Sequence, residues 1–238
     1  MRTKEFLSSH GVDFAITDIV RDPDGLARLM AFGVRTVPVL ARGADFIFCQ
    51  SMEDVVRFVG LTIDVSSNRL PADILATKYL AVLRVARAQI GVIPADALNY
   101  QYIPPRPRSL RQLAHHIFGI ADAFTRCARD GEALTSARVL ALPPEGMIAI
   151  SDITDYADKI VADMEDWWAT TNDRVGTEMR HTYFGDHSVH ALLERSAWHS
   201  AQHVRQLAAI LERLAVAPPI HLTESDLAGL PLPAGLWE

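Results

Sequence analysis

The sequence predicts a two-part α+β chain: a short α/β segment over residues 1–60, then an all-α four-helix bundle over residues 70–216. Three observations predict it. Residues 1–60 alternate short helical and extended patterns, whereas residues 70–216 carry apolar positions at helical spacing almost throughout. Four of those helical stretches are long enough to lay an apolar stripe against neighbours, which is what a bundle requires. The histidines are also uneven: of nine, five fall between His181 and His203, and two more are adjacent at His115 and His116.

In the first segment, residues 2–9 read as a short helix closed by His10 and Gly11, the glycine serving as a left-handed cap. Residues 13–20 alternate enough for a strand, with Phe14, Ile16 and Asp18 on one side. Pro23 suits the first position of a helix running to Phe32, and Gly33 ends it. The apolar runs 37–41 and 46–49 flank Arg42-Gly43-Ala44-Asp45, a hairpin signal. Ser51 with Asp54 three residues on starts a last helix through Val55, Val56 and Phe58.

Residues 61–69 read as a linker, and the long helices follow. Pro71 opens the first, striped by Leu75, Tyr79, Val82, Leu83, Ala86 and Ile90, and broken by Pro94 and Pro104-Pro105-Arg106-Pro107. Ser109 starts the second, with Leu110, Leu113, Ile117, Ile120, Ala121 and Phe124. A loop holds Pro143, Pro144 and Gly146; Ser151 caps the third helix, striped by Ile153, Tyr156, Ile160, Met164, Trp167 and Trp168. The fourth is expected over residues 188–215, and a Pro-rich tail fills 217–238.

Composition narrows the function. With 238 residues, 49% hydrophobic and 22% charged, the chain has the make-up of a soluble globular protein with a real core. No stretch approaches the ~20 apolar residues of a membrane helix, and the first residues lack a secretory pattern. A net charge of −6 with dispersed Lys and Arg argues against a nucleic-acid partner. The densest basic cluster, Arg106-Pro107-Arg108 with Arg111, reads as a solvated helix start. Cys49 and Cys127 fit no metal or redox spacing, so buried thiols in a reducing cytoplasm are expected.

His199 and His203 stand four apart and share one helix face. Nine histidines in a chain of this length give ~0.3 such pairs by chance, so spacing alone leaves satisfied core histidines as an equal reading. Both, however, fall in or beside the sector of Leu192, Ser196, Leu207, Ile210 and Leu214. On the second helix His116 lies at the inner edge of the stripe, while His115, about 100° round, is expected to face solvent. Three inward imidazoles on two helices suit a divalent ion with a coordination position left for water or substrate. His181, His187 and His190 are expected as exposed loop residues, or else as the mouth of that site. Glu194 and Asp122 are candidate acceptors for an imidazole N–H.

Ser109-Leu110-Arg111-Gln112-Leu113-Ala114-His115-His116-Ile117 and Trp198-His199-Ser200-Ala201-Gln202-His203-Val204-Arg205-Gln206-Leu207 resemble the second-helix and last-helix motifs of the DinB-like superfamily. The resemblance spans residues 70–215 and implies a four-helix bundle with His116, His199 and His203 as metal ligands. Arg205 departs from the pattern where many members have glycine, which bears on packing more than on ligation. Gly33-Val34-Arg35-Thr36-Val37-Pro38-Val39-Leu40 resembles the glutaredoxin and thioredoxin family over residues 1–60. That implies an incomplete thioredoxin-like segment with Pro38 cis and with Thr36, Val37 and Pro38 as the segment that binds a thiol cofactor. The family's first strand and Cys-x-x-Cys have no counterpart in the sequence, so dithiol exchange is not expected of it. Either translation starts further upstream or the segment is kept for packing.

An imidazole-only site suits Zn²⁺ or Ni²⁺. The DinB-like family includes thiol S-transferases, so the resemblance implies a transferase joining a low-molecular-weight thiol to a small electrophile. The expected partners are that thiol and that electrophile, with no nucleic acid and no membrane, and a homodimer is an assembly the bundle allows. The other readings are a non-catalytic metal-binding or interaction protein, and a redox protein if a Cys-x-x-Cys lies upstream.

Overall fold

The computed structural model describes residues 2–102, 108–171, 175 and 178–237, which fall into two compact units, the first holding residues up to 69 with 233–236 and the second residues 70–232 with 237. The expected break at Pro104-Pro105-Arg106-Pro107 and most of the basic cluster lie outside the described residues.

The first unit begins with α1 (Arg2–Ser9). Gly11, at φ +66°, turns the chain back so that Val12 N–H donates to the Leu7 carbonyl at 3.0 Å. In α2 (Pro23–Ala31) Asp22 caps the start by accepting from Gly25 N–H at 3.0 Å. Strands β1 (Val39–Arg42) and β2 (Asp45–Phe48) form an antiparallel hairpin, with Gly43 at φ +63° in the two-residue turn. The Val37–Pro38 peptide is cis, and the Pro38 carbonyl accepts from Cys49 N–H at 3.0 Å at the base of the hairpin. Ser51 caps α3 (Met52–Val59), accepting from Asp54 N–H at 3.3 Å. Leu7, Met52 and Val55 centre a small core.

One expected strand is absent. Residues 12–18 form no regular element and share no ladder with any described segment. Their alternation is used for packing instead: Val12 and Phe14 lean on the small core, while Ile16 is 64% exposed. A strand is stabilised by a partner's hydrogen bonds, and apolar alternation alone does not supply one.

The second unit is the bundle of α4 (Ala72–Ile90), α5 (Leu110–Asp130), α7 (Ile150–Thr171) and α8 (Val189–Arg213), with a short α6 (Ser136–Val139) between α5 and α7. Helices α4 and α5 each pack on both α7 and α8, so the order around the core is α4, α8, α5, α7. The striped residues of the first two helices are all buried, and Trp167 meets Phe124 edge-on at 4.9 Å. Each such fully buried large side chain contributes about 1.5–3 kcal/mol. Ser109 forms a reciprocal capping box with Gln112 at the start of α5. Ser151 does not cap α7; it lies inside the first turn, and Asp152 holds that end by accepting from Ile148 and Ala149 N–H at 2.9 and 2.7 Å. The Pro-rich tail contains α9 (Glu224–Leu227), and Leu230 buries against the bundle core.

Helix α5 is buried around most of its circumference, and this overturns one expectation. Residues 114–118 are all buried, so no direction is left for His115 to reach solvent. Its ring stacks on Tyr156 of α7 at 5.1 Å between centroids.

A second hairpin, β3 (Met179–Thr182) with β4 (Gly185–Ser188), precedes α8 where a loop was expected. The strands are short and polar, and a remote bridge from Leu134 to Thr182 steadies them, so periodicity could not show them. Arg180 on β3 donates to the carbonyls of Cys127 and Ala128 at 2.7 and 2.8 Å, satisfying part of the open C-terminal end of α5. Of the three histidines expected in a loop, only His181 is exposed; it bonds Asp186 at 2.8 Å. His187 is buried on β4, and His190 lies in α8 and bonds the Leu70 carbonyl at 2.8 Å. No helix among the described residues is long and apolar enough to cross a membrane.

Candidate metal centre

The second and fourth bundle helices bring His116, His199 and His203 together. One ring nitrogen from each lies within 4.8 Å of the other two. The ring centroids are 5.5 Å apart for His116 and His199, 4.9 Å for His116 and His203, and 5.0 Å for His199 and His203. An ion bound at ~2.1 Å to three imidazoles in tetrahedral geometry needs nitrogens roughly 3.4 Å apart, a closure within reach of small side-chain rotations.

The register of α5 against α8 is held one residue beyond His116 and His199. Ser200, next to His199, donates its hydroxyl to the carbonyl of Ile117, next to His116, at 3.2 Å. Ser200 Oγ also lies 3.3 Å from the Tyr79 hydroxyl on α4, so three helices meet beside the imidazoles. Tyr79 is fully buried, and burial pushes its phenol well above the usual range.

Gln206 orients His203. Its Oε1 sits 2.8 Å from His203 Nδ1, and an amide oxygen only accepts, so Nδ1 carries the proton and Nε2 keeps its lone pair for an ion. His199 Nδ1 is sealed from solvent with no hydrogen-bond partner among the described residues, a costly arrangement for a polar atom unless an ion takes it. These observations fit a divalent cation held by the three imidazoles.

Burial and nearby charge favour the neutral form of two of the rings. Burial pushes the pKa of His116 well below 6.5, and the charges of His203, Arg108 and Arg195 push the same way against the Val139 carbonyl. Burial does the same to His199, helped by His203, Arg195, His116 and Arg108. With the folded pKa below the unfolded value, the unfolded chain takes up protons first as pH falls. The stability these two rings contribute is therefore complete above about pH 6.5 and is lost on acidification, at up to roughly 1.4 kcal/mol per pH unit for each ring. Urea unfolding of metal-free protein at pH 8, 6.5 and 5.5 checks this, and a flat stability would contradict it.

Sequence reasoning missed the positioning residues: Gln206, Ser200 and Tyr79 all lie in helical stretches where they read as packing. Gln206 carried the only available signal, three residues after His203 on the same face. Asp122, a candidate acceptor, pairs instead with Arg126 at 2.9 Å. Arg205, the departure from the family pattern, donates to Gln202 Oε1 at 2.7 Å. Thr36, Val37 and Pro38 belong to the first unit, with Val37 48% exposed. Burial of Cys49 there pushes its thiol up to about 11 against a hydrogen bond from the Thr3 side chain, so it stays protonated at neutral pH.

The class defined by fold and site is a helical bundle with three inward histidines, on two of its helices, that could hold a metal ion. The family model of the DinB superfamily matches residues 79–207, more than half of the chain, and the chain belongs to that metal-binding superfamily. The glutaredoxin model matches residues 1–47, so the chain joins a glutaredoxin-like segment to a DinB bundle. No curated protein matches it.

Proposed function

We propose that the protein is a metal-dependent transferase that joins a low-molecular-weight thiol to a small electrophile. The observation that carries this reading is the convergence of three imidazoles in a DinB bundle. A divalent ion, Zn²⁺ or Ni²⁺, held by His116, His199 and His203 supplies Lewis acidity that lowers the pKa of a bound thiol or water. The residues around it have distinct tasks. Desolvation and the positive charges around buried His116 and half-buried His199 favour their neutral forms, so they offer lone pairs at neutral pH. Gln206 keeps the His203 proton on Nδ1. The chain's own thiols are poor nucleophiles, since burial raises both Cys49 and Cys127, and the attacking sulfur therefore comes from the substrate.

In the reaction the thiol gives up its proton, its sulfur forms the new bond to carbon, and the leaving group departs with the bonding pair. The test is conjugation of glutathione, then of other small thiols, to a haloaromatic electrophile with apo and metal-loaded protein. Metal-dependent turnover is expected, falling roughly a hundredfold or more in His199→Ala. Tight metal binding without turnover for any thiol would leave a non-catalytic metal-binding protein as the better reading.

A further inference from the structure

We propose that the Ser196 hydroxyl donates a hydrogen bond to the sulfur of a small thiolate taking the coordination position that the three histidines leave to substrate; this rests on the metal reading above. Ser196 lies on α8 three residues before His199 and seven before His203, so the three side chains leave the helix on one face. Side chains on a helix lean toward its N-terminus, so the His199 ring leans back over the turn that carries Ser196. That turn faces the interior: Ser196 is 1% exposed. Its hydroxyl has no hydrogen-bond partner among the described residues.

Ser200, one turn further on, shows what a serine used for packing does in this helix. It is equally buried, but it donates to the Ile117 carbonyl at 3.2 Å and lies 3.3 Å from the Tyr79 hydroxyl. A serine within a helix can also bond the carbonyl four residues back, which for Ser196 is that of Leu192, and Ser196 does not. A buried hydroxyl left unpaired is costly, and His199 Nδ1 is in the same state one turn away. Two unpaired polar atoms on the face of the histidine cluster leave room for a third group to satisfy them. A thiolate sulfur only accepts, so the hydroxyl donates to it. The neutral thiol is a weak acceptor, and the contact therefore favours the deprotonated form.

The test uses the full chain loaded with Co²⁺, whose visible spectrum reports ligand binding without turnover. The thiol probe is 2-mercaptoethanol. Imidazole is the control, because its coordinating nitrogen keeps no lone pair for a hydrogen bond. Ser196→Ala is expected to bind 2-mercaptoethanol roughly tenfold more weakly or worse, while binding imidazole and Co²⁺ as the wild type does. Metal-free Ser196→Ala is expected to melt at the wild-type temperature or above it, since alanine favours a helix and an unpaired hydroxyl has gone. Unchanged thiol affinity, the result if an ordered water satisfies the hydroxyl, overturns the proposal. So does equal loss of thiol, imidazole and Co²⁺ affinity, or a Ser196→Ala chain that is destabilised or does not fold, because the hydroxyl would then serve the fold. A wild type that takes up Co²⁺ but no 2-mercaptoethanol overturns this inference alone. A wild type that takes up no Co²⁺ overturns the metal reading itself, and this inference with it.

Discussion

His203→Ala is expected to abolish metal binding, where the wild-type chain takes up about one divalent ion. The reason is the donor set. Three imidazoles from two helices converge within 4.8 Å, and removing one leaves two nitrogens in a cluster to which no fourth His, Cys, Asp or Glu among the described residues belongs. Gln206→Leu is expected to fall between the two, losing roughly tenfold to a hundredfold in affinity, since it frees the His203 ring to rotate and to change tautomer. Metal also binds the folded chain in preference to the unfolded one, so saturating Zn²⁺ at a thousandfold over its Kd adds about 4 kcal/mol to wild-type stability and nothing to His203→Ala. Elemental analysis after dialysis and thermal melts with and without Zn²⁺ measure both effects. Equal metal content in wild type and variant would remove the site assignment.

The neighbouring pair on α5 separates metal binding from packing. His116→Ala is expected to lose the metal, whereas His115→Ala is expected to keep it and to lose about 2–4 kcal/mol of stability. His115 is 6% exposed and stacks on Tyr156, so truncation opens a cavity between α5 and α7. Part of that cost is offset because His115 Nδ1 is buried without a hydrogen-bond partner, and its removal relieves an unsatisfied polar atom. Metal titration of both variants, alongside urea unfolding of the metal-free forms, distinguishes the two roles. Loss of metal in His115→Ala with retention in His116→Ala would mean that the ligand is the other histidine of the pair.

Much of the bundle was legible because helical stripes repeat over many residues. Leu75, Tyr79 and Val82 on α4, and Leu113, Ile117 and Phe124 on α5, recur at a period that only a helix with one buried face explains. The inward direction of His199 and His203 followed from the same wheel. Short elements resisted: β3 and β4 have four residues each and carry no apolar alternation, and residues 12–18 show alternation but have no ladder. The start of α7 was misplaced because Ser151 has the right chemistry for a cap, while the side chain that closes the turn belongs to Asp152.

Local pattern thus determined the two-part organisation, the long helices and the histidines that face inward, since each depends on residues a few positions apart. Tertiary structure alone decided the rest. His115 was buried by the approach of α7, a distance of forty-one positions along the chain from Tyr156. Ser200 met Ile117 because α8 packs on α5, and Arg195 was oriented by a hairpin whose own support comes from Leu134. A helical wheel states which way a side chain leaves its own axis. It does not state which neighbour occupies that direction, because that depends on how whole helices pack and in what register.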